Sequence, residues 1–314
     1  MSYHNSLVNI HKFVVGILGC FTCCTVMANE NDLIAALQDT YSACVGIDAK
    51  LADLKRMAGI NTAITGVGTG LGIGATAVGI AKSQTDEKID ELLKQLAEKE
   101  AQYGAPVIQD PDQFAAEFQT MSANTAQQSE LDQLTQKSKK LGNWRTGLMA
   151  ASTATNIAGA VIASQNRADG DLQAHIDSCN SAVNQLSRVK VQAGLEGIDT
   201  SEADQIVNAC KGFSSVDLSK INQRATGAMT ASAVGAVTGL TGTITSAMAN
   251  SDSTRQLGED GLRTDKEKNL NAASNVLAGT TTVASAAATI FNASQIKAIK
   301  DVATVAEKCT EVLK

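Results

Sequence analysis

Four stretches of this chain contain no charged side chain: Met57 to Ala81, Thr146 to Asn166, Ala225 to Ser251 and Asn269 to Ile296. They are built from Ala, Gly, Thr and Ser rather than from Leu, Ile and Phe. Small side chains let helix backbones approach closely, so the pattern predicts helices that pack against other helices, in water or in lipid. Between these stretches the spacing returns to that of amphipathic helices. Leu33, Leu37, Tyr41, Cys44, Leu51 and Leu54 fall on one helical face, and the first uncharged stretch follows without a breaker. Ile89, Leu92, Leu93, Leu96 and Tyr103 repeat at three, four and seven within a charged segment from Lys82, which predicts a buried stripe or a short coiled coil. Gly104 to Pro111 breaks the pattern, and Asp110-Pro111-Asp112-Gln113 restarts a helix with a capping box. No Gly or Pro interrupts Asp112 to Leu141, so that helix is predicted to run into the second uncharged stretch, with Gly142 as a weak point. Asp252 to Lys268, with Gly258 and Gly261, predicts the turn of a helical hairpin.

The predicted fold is therefore all-α: an elongated bundle of long amphipathic and Gly/Ala/Thr-rich helices. Only two prolines occur in 314 residues, which removes the residue that most reliably breaks helices. Thr65-Gly66 with Ser83-Gln84 repeats at the offset of Thr146-Gly147 with Ser164-Gln165. Asn143 to Gly147 resembles Asn222 to Gly227, and Ala293-Ser294-Gln295 repeats Ala163-Ser164-Gln165, which suggests a degenerate internal duplication. Four segments follow: 1–28 as a signal peptide, 29–168 as a first helical unit, 169–213 as a small cysteine-flanked helical insert, and 214–314 as a C-terminal hairpin with a closing helix.

The seven glycines of Met57 to Ala81 would cost about 7 kcal/mol relative to alanine in a solitary helix, so partners must pack on them. Gly66, Gly70 and Gly74 form one four-residue series and Gly68 and Gly72 another, and all five are read as contact positions of a glycine zipper. A phosphate loop is a poor reading, because no Lys-Ser or Lys-Thr follows the glycines and no strand pattern precedes them.

The chain opens as an export signal, with Lys12, an apolar run from Phe13 and Val26-Met27-Ala28 as a cleavage site, so the mature chain is expected to begin at Asn29. Cleavage before Cys20, as in a lipoprotein, is the alternative. Of seven cysteines, Cys20, Cys23 and Cys24 lie in the signal, and Cys44, Cys179, Cys210 and Cys309 remain as an even set in an oxidising compartment. The expected bridges are Cys179 with Cys210, across a compact segment turning at Gly194 to Gly197, and Cys44 with Cys309. Buried thiols on apolar stripes are the bland alternative.

Removing residues 1–28 takes Lys12 with them and moves the formal charge from −6 to −7, a poor balance for binding phosphate backbones, so nucleic acid is not an expected partner. Aromatic residues make up 3%, too few to line an ordinary ligand pocket, and a small-molecule ligand is not expected. His175 is the single histidine after the signal and is placed on a solvated helix face. Asp86, Glu87, Asp90, Glu91, Glu98 and Glu100 interleave with lysines as a solvated face does. No metal, cofactor or catalytic motif stands out, and no enzyme is predicted. The first functional expectation is an exported structural or interaction protein of the periplasm, cell envelope or exterior. It would bind another protein or itself through helices, with the small-residue helices as its core. The second is a membrane-active protein whose Gly/Ala-rich hairpins insert into a bilayer or oligomerise as a pore. The asparagines at 269, 271, 275 and 292 favour the first, being hard to place in lipid.

Overall fold

The computed structural model describes residues 30–102, 111–258 and 261–314. The expected signal segment with its cleavage site and cysteines, and the Asp110 capping box, lie outside the described residues.

Within them the chain is an all-α bundle of long helices. Its helices are α1 (Glu30–Cys44), α2 (Ile47–Gln102), α3 (Pro111–Gln165), α4 (Gly170–Leu195), α5 (Ser201–Cys210), α6 (Ser219–Ala249) and α7 (Asp265–Val312), with a 3-10 turn at Lys211–Ser215 after α5. Gly142 does not interrupt α3, and the charged stripe from Lys82 continues α2 without a break. The expected uninterrupted run from α1 into α2 is corrected. Gly46 has φ +89, a left-handed conformation that glycine adopts without a Cβ penalty, and it ends the first helix. The buried face of α1 is Leu33, Ala36, Thr40 and Cys44, which leaves Tyr41 exposed, and Ile47 and Leu51 begin the buried face of α2.

Helices α2, α3, α6 and α7 form an up-down-up-down bundle in which each packs on two neighbours: α2 on α3 and α7, and α6 on α3 and α7. Their register follows from side chains that meet. Asn61 of α2 meets Asn292 of α7, Ser152 of α3 meets Gly68 of α2, and Thr146 of α3 meets Ser246 of α6. From Ala58 on, buried positions on α2 run 58, 61, 65, 68, 72, 75, 79, 82, 85, 86, 89 and 93, and those on α6 run 221, 225, 228, 232, 235, 239, 242, 246 and 249. This three-four alternation is the seam of a heptad bundle. It also sorts the sequence matches. The Ala-Ser-Gln pair falls on α3 and α7, the second helices of the two hairpins, where Gln295 Nε2 donates to the Asn166 carbonyl at 2.7 Å. The other two matches pair helices that run in opposite directions.

At one end α1, α4, α5 and the 3-10 turn pack around the end of the bundle to form a head with a conventional core, including Leu33, Ile47, Leu51, Ile176, Leu186, Ile206, Phe213, Ile221 and Ile299. Asp169 caps α4, its side chain accepting from Leu172 N at 2.7 Å. Residues 169–213 share this core with α1 and α7. All four expected cysteines are bridged here, but with exchanged partners: Cys44 joins Cys179 and Cys210 joins Cys309. The reason is packing. α1 lies against α4 and α5 lies against α7, so each cysteine meets one on the adjacent helix rather than the next in sequence. The two bridges are themselves neighbours, since the Sγ atoms of Cys44, Cys179 and Cys309 lie within 4.8 Å of one another.

At the other end α2 and α3 extend as an antiparallel pair closed by Ile89, Leu93 and Leu131. The α6–α7 turn comes back over it. Gly261 has φ +72, Gly258 N donates to Leu262 O at 2.8 Å, and Thr264 caps α7.

Candidate functional site

Between head and extension the bundle is inverted in side-chain size, with small and polar groups facing inward and larger aliphatic groups outward. Its seam holds Asn61, Thr65, Gly68, Gly72, Ala75 and Gly79 on α2, opposite Met149, Ser152, Asn156 and Gly159 on α3. Ser232, Gly235, Gly239 and Gly242 on α6 face Ser274, Ala278, Ser285 and Asn292 on α7. These groups bond across helices. Asn61 Nδ2 donates to Asn292 Oδ1 at 3.0 Å, Ser152 Oγ to the Gly68 carbonyl at 3.0 Å, and Asn156 Nδ2 to Ser285 Oγ at 2.8 Å. Small residues admit this contact. A Cβ on Gly68 would lie 2.5 Å from Thr155 Oγ1, and one on Gly72 would lie 2.6 Å from Thr282 Oγ1. Gly74 sits 3.5 Å from Leu148 by the same measure. Gly66 and Gly70 are corrected as contact positions: both are exposed, and a Cβ on either would meet nothing within 4 Å. The seam alternates three and four, whereas the 66-70-74 series keeps a constant four and drifts off it.

The outer surface carries the large apolar side chains. Ile60, Val67, Ile73 and Ile80 on α2, Ile157 and Val161 on α3, Val234, Val237, Leu240 and Ile244 on α6, and Val276, Val283 and Ile290 on α7 are all exposed, with Val283 at 70%. The outward hydroxyls of Thr226, Thr241 and Thr280 donate to the carbonyls of Asn222, Val237 and Val276, four residues back. The four uncharged stretches line up side by side, so this face forms one band around the bundle. From Ala58 to Ile80 it is about 33 Å long at 1.5 Å per residue. Trp144, 69% exposed, stands at its far edge. Arg56, Arg167, Arg224 and Lys297 flank its head edge in sequence.

Just beyond the far edge lies a buried charge cluster that the sequence reading missed. Lys82 Nζ donates to Asp86 Oδ2 at 2.6 Å and Ser138 Oγ to Asp86 Oδ1 at 2.5 Å, with both charged side chains almost fully covered. Arg263 Nη1 reaches Asp86 Oδ2 at 2.9 Å and Glu267 Oε1 at 3.4 Å, and its Nε and Nη2 grip Asp90 at 2.9 and 3.1 Å. Asp86 and Lys82 are thereby corrected from a solvated face to the seam. Burial alone would raise the Asp86 carboxyl, but Lys82, Ser138 and Arg263 together hold it below its ordinary value. Burial lowers the Lys82 ammonium against the pull of Asp86. Burial raises the Glu267 carboxyl, with Arg263 offsetting only part of it. The available signal was the apolar stripe of Ile89 and Leu93, which reaches positions 82 and 86 when followed backwards at the same spacing. His175 is half-buried and packs beside the Gly46 turn.

Comparison with protein-family models, with curated proteins and with solved structures finds no match to this chain.

Proposed function

We propose that this chain is a non-enzymatic membrane protein, with the α2–α3 and α6–α7 hairpins spanning a bilayer as one four-helix bundle and the disulfide-braced head standing on the oxidising side. The observation that carries this reading is the inverted middle of the bundle. Over one shared band, four helices turn Ser, Thr, Asn and Gly inward and Val, Ile and Leu outward. In water that arrangement leaves a large apolar surface uncovered, which soluble monomers rarely do. In lipid it is the favoured one, because the outer face matches the acyl chains while small and polar residues join the helices. The band is close to the hydrocarbon thickness of about 30 Å. Three helices are long and apolar enough to cross a membrane by length and composition. Trp144 falls where interfacial aromatics gather.

This is the second of the two functional expectations, and it overtakes the first because the objection from asparagine loses most of its force. Asn292 is buried and bonded to Asn61. Asn269 is exposed at the charged edge of its stretch, Asn271 is half-buried near that edge and donates to Asp86, and Asn275, also half-buried there, has a buried Oδ1 without a hydrogen-bond partner among the described residues, so the objection keeps its weight at that position alone. The outward threonines satisfy their hydroxyls on their own helices, as residues facing lipid must.

The test is carbonate extraction of membranes carrying the full chain, together with Val237→Lys at a position 67% exposed in the band. The native chain should stay in the pellet, and the variant should lose about 2.5–3.5 kcal/mol of insertion free energy. Release of the native chain into the supernatant, with Val237→Lys neutral, would mean that water covers this face and would overturn the proposal.

A further inference from the structure

The α6–α7 groove at the head edge of the band is open, with a cavity of about 520 Å³ lined by Lys220, Arg224, Ser294, Lys297, Asp217 and Asp301 among others. Among the described residues, none of its three cations is held in an ion pair. Their order along the groove is the informative feature. Arg224 and Lys297 are the first charged residues beyond the uncharged stretches of α6 and α7. Lys220 lies one helical turn farther from the band. Asp301 lies one turn beyond Lys297, about 6 Å along the helix, and Asp217 precedes the start of α6. Moving away from the apolar surface, the groove therefore presents positive charge first and negative charge second. Toward the band Phe291 packs over Gly227, its ring 2.8 Å from where a Cβ would stand, and Ile290 beside it is exposed.

On the membrane reading above, we propose that this groove seats the headgroup of an amine-bearing zwitterionic phospholipid. In such a lipid the phosphate lies next to the acyl chains and the ammonium lies outermost, which is the order of Arg224/Lys297 and then Asp301/Asp217. Arg224 and Lys297 donate charge-assisted hydrogen bonds to the phosphate oxygens. Asp301 accepts from the ammonium. The acyl chains follow the apolar α6–α7 surface past Phe291. Asp217 accepts from Ser219 N at 2.9 Å, which fixes its carboxylate at the outer wall of the seat.

The test is native mass spectrometry of the detergent-purified full chain, delipidated and then offered phosphatidylethanolamine or phosphatidylglycerol with identical acyl chains. The native chain should retain phosphatidylethanolamine preferentially. The double variant Arg224→Gln/Lys297→Gln should lose retention by at least about tenfold, as expected for the loss of charge-assisted hydrogen bonds. Asp301→Asn should move the preference toward phosphatidylglycerol, and Lys211→Gln, outside the groove, should change nothing. Equal retention by the native chain and the double variant, with both still resistant to carbonate, overturns the lipid seat while leaving the membrane reading intact. Displacement of the lipid by millimolar inorganic phosphate would identify a soluble anion as the occupant and likewise overturn it. Release of the native chain by carbonate removes the membrane reading and the seat together.

Discussion

The head and the middle of the bundle share α2 and α7 but solve the packing problem in opposite ways. In the head, Leu, Ile and Phe face inward and two disulfides close the core. Along the bundle the seam holds Ala, Gly, Ser, Thr and Asn with Met149, and most of the larger aliphatic groups face outward. Burial of apolar area from water drives assembly only where the outside is water. The head therefore has the architecture of a protein folded against water. The bundle has that of a protein whose helices are held by close backbone contact and hydrogen bonds. One chain built on a continuous pair of helices carries both, and the inversion sets in where the charged residues stop.

The largest effect that separates the two regions is loss of a bridge. Cys44→Ala with Cys179→Ala opens a loop of 135 residues and should destabilise the head by about 4–5 kcal/mol on the loop-entropy account, leaving the bundle assembled. Amide exchange should rise in α1 and α4 but not along residues 61–79. Equal loosening of both regions would show that they are a single cooperative unit.

Next is the charge cluster at the far edge. Asp86→Asn leaves Lys82 and Arg263 buried without their shared carboxylate, which should cost about 3–5 kcal/mol in chemical denaturation. Its pH signature follows from the lowered Asp86 value. The stabilisation is present above the unfolded carboxyl value of 3.8 and is lost as pH falls below it. Glu267 has the opposite sign: its raised value makes its contribution greatest below 4.5 and lost as pH rises through the folded value. Asp86→Asn should flatten the acid limb of the stability curve. An unchanged acid limb would show that the cluster is hydrated.

A smaller effect distinguishes seam from surface within one helix. Gly68→Leu drives a side chain into Thr155 and should cost about 1–3 kcal/mol of thermal stability. Gly70→Leu, two residues on and facing outward, should be neutral or stabilising by up to about 1 kcal/mol, because it replaces a poor helix former. Equal losses at both positions would contradict the heptad register.

The helical class was legible from scarce proline and from the return of charge between uncharged stretches. The cysteine set was legible too, since parity requires no geometry. Pairing was not, because it depends on α4 returning to α1 while α5 crosses to α7, and neither path leaves a local mark. The seam was legible only in part: the glycine spacing marked Gly68 and Gly72, which lie in it, together with Gly66 and Gly70, which face outward, while Ser152 and Asn156 carry no hydrophobic signal that would place them on a buried face. Lys82 and Asp86 were misread because an i, i+4 ion pair looks alike on a solvated face and on a buried one.

The smallest expected effect is a control on the head surface. Leu195→Lys, at a position 84% exposed, should leave stability within about 0.5 kcal/mol and membrane retention unchanged. A loss of retention would show that the head surface also contributes to it.

The most direct measurement of the inversion is the accessibility of spin labels placed through Val67→Cys, Val237→Cys and Val283→Cys in the reconstituted chain, with Leu195→Cys as the head reference. The three band positions should be relaxed by oxygen dissolved in lipid and shielded from a water-soluble nickel chelate, with the reverse at position 195. Nickel accessibility at all four positions would contradict the inversion.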